Sequence, residues 1–227
     1  MNLRTVGYKT IIKWSIWGVL GLLLLIYLVR VITFENAYYG EKEGSEREVT
    51  NVASSGGDLI EVAPTEDEVR EYIVAPDRPR YLSVERLGVV NARILPMGVN
   101  SKGELDTPQN IFDVGWYESS GLPGQGGTMV IDGHNGGPHV HGVFKNLPDL
   151  AIGDIIQIER GDGAIFKYKV VENNSVPLSE SDEYMVTATR SPEIGKESVT
   201  LISCTGEWSQ QQDTYLSRQF TRAVLLE

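Results

Sequence analysis

The sequence predicts an all-β fold, a closed barrel of about eight strands with a few short helices, carried behind one N-terminal transmembrane helix. Three observations lead there. From about residue 78 onward, short runs rich in Val, Ile, Tyr and Thr are separated by Gly, Pro, Asn and Asp, the pattern of a sandwich or barrel. Helical signals in that stretch are few. The one long apolar run lies near the N-terminus, and the roughly 150 residues beyond position 77 suffice for a single core.

The elements follow in chain order. Residues 14–29 read WSIWGVLGLLLLIYLV without a charge, about 24 Å as a helix, and extension to residue 34 reaches about 31 Å, enough for a hydrocarbon core. The segment 14–34 is therefore expected to span a membrane. A cleaved signal peptide is the alternative, but the run is long for one and FENAYYG after it offers no small-x-small site. Arg4, Lys9 and Lys13 precede the run, and Glu35, Glu41, Glu43, Glu46 and Glu48 follow it. That asymmetry places residues 1–13 in the cytoplasm and everything after the helix outside the cell membrane.

Residues 35–77 carry twelve carboxylates against three basic side chains, with Ser54, Ser55, Gly56 and Gly57 in the middle, the composition of a self-repelling extracytoplasmic tether. Thr65-Glu66-Asp67-Glu68 matches a capping box, so a short helix over 66–74 is expected to dock through Val69, Tyr72 and Ile73. The domain itself is then 78–227. Its expected strands are 80–86, 89–99, 127–133, 154–159, 165–172, 198–204 and 218–226, with a turn at 143–147 and a helix within 179–189 capped by Ser179.

Composition excludes some functions. A net charge of −11 disfavours phosphate backbones, and no basic patch suggests a nucleic-acid site. One cysteine, Cys204, forms no intramolecular disulfide, and in an extracytoplasmic domain a lone thiol is notable.

The chemistry-bearing residues are few. All three histidines lie in DGHNGGPHVH: His134, His139 and His141. A three-imidazole metal site would use all of them, but the stretch after them lacks a carboxylate until Asp149 and carries Lys145 instead, so no metal is assigned. His134 ends the apolar run TMVID, a position suited to an acid–base group, while an isolated buried histidine is more often structural. Cys204 ends VTLISC in the same way and is equally readable as an inert core thiol. The constellation favours chemistry: a thiol, a histidine upstream and Arg218 downstream supply nucleophile, proton shuttle and fixed cation for acyl transfer.

These motifs resemble the sortases, cysteine transpeptidases of Gram-positive-type cell surfaces. VIDGHNGGPHVHGVFKNL is similar to the family's strand-Gly-His segment, TLISCTG to its Thr-Leu-x-Thr-Cys, and RQFTRAV to its Arg-x-x-x-Arg-Ala strand. RYLSVERLGVVNARILPMG and LDTPQNIFDVGWY also look like its entry strands, and DVGWY leans toward classes E and F. Ser203 stands where the family has Thr.

The resemblance implies Cys204 as nucleophile, His134 as general acid and base, and Arg218 stabilising the oxyanion or the substrate. It also implies secreted substrates with a C-terminal LPxTG-like sorting signal, and an amine from a peptidoglycan precursor or a pilin lysine as acceptor. No cofactor is expected. Calcium stays open through Glu180, Asp182 and Glu183, which also fit a solvated face. An L,D-transpeptidase would want Gly before the cysteine and an Arg close after it, where Ser203 and Thr205 stand. A catalytically silent surface-binding module is the other alternative.

Overall fold

A computed structural model describes residues 59–100 and 105–226. The expected membrane helix 14–34 and most of the tether lie outside these residues. Among the described residues no helix is long and apolar enough to cross a membrane.

Alternation of apolar and polar side chains between turn residues produces eight strands: β1 (Pro79–Val84), β2 (Val89–Met97), β3 (Val114–Tyr117), β4 (Thr128–Gly133), β5 (Ile155–Arg160), β6 (Ile165–Pro177), β7 (Ser198–Ser209) and β8 (Thr214–Leu225). They close into a barrel in the order β1-β2-β3-β4-β7-β8-β6-β5. Two neighbouring pairs are parallel, β2 with β3 and β4 with β7; the others are antiparallel.

The period of two divides the apolar residues between two cores. Met129 and Ile131 on β4, with Val199 and Leu201 on β7, fill the barrel interior beside Trp116, Ile156, Ile158 and Tyr168. Val130, Ile202 and Phe220 point the other way and pack outside the barrel with Val176 and Ala188. Helix α2 (Leu178–Ala188) covers that outer cluster through Tyr184 and Met185, and the Tyr184 and Phe220 rings lie 4.8 Å apart.

Three local expectations need correction. Ser179 does not cap α2: the N-cap is Pro177, and Ser179 lies within the first turn. Helix α1 (Glu66–Glu71) has the expected capping box between Thr65 and Glu68 but stops short of residue 74. Tyr72 leaves the helical conformation, its hydroxyl donating to the Ile94 carbonyl (2.5 Å) while its own carbonyl accepts from Arg80 Nε (2.8 Å). The Tyr72 side chain thus docks as expected, on Ile94, while Val69 is held by its carbonyl, which accepts from the Tyr81 hydroxyl, and Ile73 is 79% exposed. Residues 205–217 form a hairpin in which β7 and β8 continue past Cys204 and Arg218 to a turn at 210–213.

Candidate active site

Strand register assembles the site. Cys204 on β7 faces Arg218 on β8, with Ile202 opposite Phe220 in the next row of the same face and Thr200 opposite Arg222 beyond it. On the other side of β7, Asp132 of β4 is the partner of Ile202 and Val130 that of Thr200. His134 is the first residue past the end of β4. Helix α2 sits over the Val130, Ile202 and Phe220 part of this face, so His134, Cys204 and Arg218 occupy its end and are each partly exposed.

Two hydrogen bonds stitch the end of β4 to the middle of β7. Ser203 Oγ, buried, donates to the Gly133 carbonyl (2.9 Å), and Asn135 Nδ2 donates to the Cys204 carbonyl (2.9 Å). The Ser203 hydroxyl is therefore spent on the backbone beneath His134. Gly142 and Gly133 permit the loop to fold back: a Cβ on Gly142 would strike the His134 carbonyl, and one on Gly133 would come within 2.6 Å of Phe144. Phe144 N–H donates to the His134 carbonyl (3.0 Å), fixing the backbone at this position.

The His134 ring is held from the β2–β3 connection. Its Nε2–H donates to the Pro108 carbonyl (2.8 Å), which assigns the proton to Nε2 and leaves Nδ1 as the basic nitrogen of the neutral ring. Burial lowers the pKa of His134, with the Pro108 bond opposing. Burial raises that of the Cys204 thiol, Arg218 opposing and Asp132 adding to the rise. Thiol and imidazole are thus both shifted toward their neutral forms.

Arg218 is fixed by the hairpin. Its Nη1 donates to the carbonyls of Tyr215 (2.9 Å) and Ser217 (3.1 Å), and Nη2 to Thr214 Oγ1 (3.2 Å). Beyond it, Trp208 and Tyr215 meet edge to face at 5.1 Å. Arg222 is only 4% exposed, pairing with Glu172 (2.5 Å) and donating to the Thr187 and Arg190 carbonyls.

The other histidines go elsewhere. His139 pairs through Nδ1 with Glu61 (2.9 Å), whose other oxygen accepts the His139 and Val140 N–H groups, and His141 is exposed. These backbone N–H bonds, that of His139 foremost, lower the Glu61 pKa. Among the described residues no three His, Cys, Asp or Glu side chains converge as a metal site; Glu180, Asp182 and Glu183 are exposed on α2. Asp132, Pro108, Asn135 and Glu61 were not singled out by sequence reasoning. For Asp132 the signal was present, a carboxylate at the end of the apolar run TMVID.

The chain was compared with known proteins. None of the curated proteins matches it. Similar solved structures include a Clostridium perfringens sortase D5 transpeptidase, at 23% identity over 72% of this chain and 90% of that chain (TM-score 0.46). A Streptococcus pneumoniae sortase C matches at 18% over 68% and 71% (TM-score 0.47), and an Actinomyces oris sortase at 21% over 67% and 82% (TM-score 0.48). They assign no class to this chain. The sortase-domain family model matches residues 82–225, well over half of the sequence, from within β1 to the end of β8. On that match, the chain belongs to the sortase family.

Proposed function

We propose that the chain is a single-pass, membrane-anchored cysteine transpeptidase that cleaves an LPxTG-like sorting signal and passes the acyl group to a cell-wall or pilin amine. The observation that supports this reading is the row at the end of the β4–β7–β8 face. A cysteine and an arginine are register partners across a strand pair, the guanidinium is fixed by its own hairpin, and a histidine follows the adjoining strand end.

In this reading the Cys204 thiolate attacks the Thr–Gly carbonyl carbon, and Arg218 stabilises the negative charge that develops on the carbonyl oxygen. The C–N bond breaks as the thioester forms, and the His134 imidazolium protonates the departing amine. A second amine then attacks the thioester, gives its proton to His134, and releases the Cys204 thiolate, restoring the thiolate–imidazolium pair. Because burial shifts both groups toward neutrality, the reactive thiolate–imidazolium pair is a minor population at neutral pH. Substrates are secreted proteins with a C-terminal sorting signal, the acceptor a peptidoglycan precursor or pilin amine, and residues 14–34 the anchor.

Turnover of an LPxTG-like peptide with a small primary amine tests the proposal. The full chain is expected to release the Gly-headed fragment and form the acyl-amine product. Cys204→Ala and His134→Ala are expected to form neither, while His139→Ala, His141→Ala and added chelator leave turnover within several-fold. A Cys204→Ala chain that still joins peptide to amine rejects the proposal.

A further inference from the structure

The row behind Cys204 holds a carboxylate that the mechanism does not use. Asp132 lies two residues before His134 on β4, is the register partner of Ile202, and is close enough to Cys204 for its charge to act on the thiol. Its carboxyl is bonded by the Thr107 side chain. Thr107 and Pro108 are consecutive in the β2–β3 connection, and it is the Pro108 carbonyl that holds the His134 ring. Opposite Asp132 on β3 stands Gly115, where a Cβ would collide with Asp132 Oδ1 and lie within 2.7 Å of Met97 and 3.1 Å of Pro108. Glycine here lets carboxyl, strap and strand close together.

We propose that Asp132 is a positioning residue of the reaction centre: through Thr107 it holds the strap that orients His134, and it sets the charge against which Cys204 ionises. The proposal deepens the reading above and rests on it, since it takes Cys204 and His134 as the reacting pair. The groups around Asp132 are few. The strap contributes Thr107 and Asp106, β7 contributes Cys204, β8 contributes Arg218 opposite that cysteine, its own strand leads to His134, and Gly115 and Met97 add no charge.

Burial raises the Asp132 pKa to about 7, with Asp106 adding to the rise and the Thr107 bond opposing it. Below that pH the carboxyl is neutral and leaves the thiol free to ionise. Above it the carboxylate repels a thiolate, so ionisation of Cys204 is pushed to higher pH.

Cys204 is the chain's one cysteine, so the rate of iodoacetamide alkylation against pH reads its ionisation without any sorting peptide. The full chain in detergent is measured beside Asp132→Asn and Thr107→Val. Asp132→Asn is expected to move the alkylation midpoint down by roughly one unit. Thr107→Val moves it less and in the same direction, because loss of the hydroxyl donor keeps Asp132 protonated to higher pH. With the sorting peptide, Asp132→Ala lowers kcat further than Asp132→Asn, since only asparagine keeps a partner for Thr107. Thr107→Val leaves β4 untouched and decides the matter if Asp132→Asn fails to fold. Midpoints unmoved in the folded variants overturn the proposal even where the peptide is cleaved. A shifted midpoint with no peptide cleavage upholds the charge effect and rejects the transpeptidase reading instead.

Discussion

Arg218 and Arg222 stand four residues apart on β8 and meet different surroundings. Arg218 is partly exposed beside Cys204, its guanidinium fixed by the hairpin carbonyls. Arg222 is buried, clamping Glu172 on β6 and the chain that follows α2. Removal of a fixed oxyanion donor costs on the order of a hundredfold to a thousandfold in turnover. Arg218→Ala is therefore expected to lose activity on that scale with its melting temperature nearly unchanged, and Arg218→Lys to recover little, since lysine lacks the planar fork. Arg222→Ala strips Glu172 and two carbonyls of their partner, about 2 kcal/mol after allowance for the partial exposure of Glu172. It should melt earlier and, where folded, turn over within several-fold of the parent. Melting curves and turnover of the three variants on one fluorogenic peptide check this; a dead, folded Arg222→Ala beside an active Arg218→Ala would reverse the assignment.

At the scale of elements, the long alternating runs were legible in the sequence and the short or polar pieces were not. Seven expected strands correspond to β1, β2 and β4 to β8, because each buries side chains with period two or as an apolar run. β3 was missing from that set and entered only through the resemblance of LDTPQNIFDVGWY to an entry strand: VGWY is four residues long, three of them buried, so it shows no alternation, and Gly115 weakens its strand signal. β6 continues through Asn173 and Asn174, residues that elsewhere mark turns. Asn173 spends its amide instead on the Leu147, Pro148 and Leu150 carbonyls and accepts from Gln219 and Thr221. The continuation of β7 and β8 past the site was hidden in the same way, because Gly206 takes φ 83° in a register shift between Thr205 and Trp208 that interrupts the pattern. Among the candidate site residues, His134, Cys204 and Arg218 were readable because each begins or ends a strand signal. The strap contacts of Thr107 and Pro108 were not, since they join positions far apart in the chain.

For the whole molecule, charge and topology go together. Of the net charge of −11, residues 35–77 supply −9, between the basic N-terminus and the barrel. In the proposed topology, basic residues before the apolar run and acidic ones after it put the barrel outside. Protease added to intact protoplasts is accordingly expected to digest the barrel and spare a tag placed on residues 1–13; a protected barrel with a digested tag would refute that orientation. In the proposed reaction Cys204 carries the acyl group between donor and acceptor. The most direct measurement is the intact mass of the full chain after incubation with an LPxTG-like peptide in the absence of amine, followed by mapping of the modified residue. The expected result is an increment equal to the peptide acyl fragment, located on Cys204, lost when amine is added and absent from Cys204→Ala. Peptide cleavage without an adduct at Cys204, or an adduct on another residue, would contradict it.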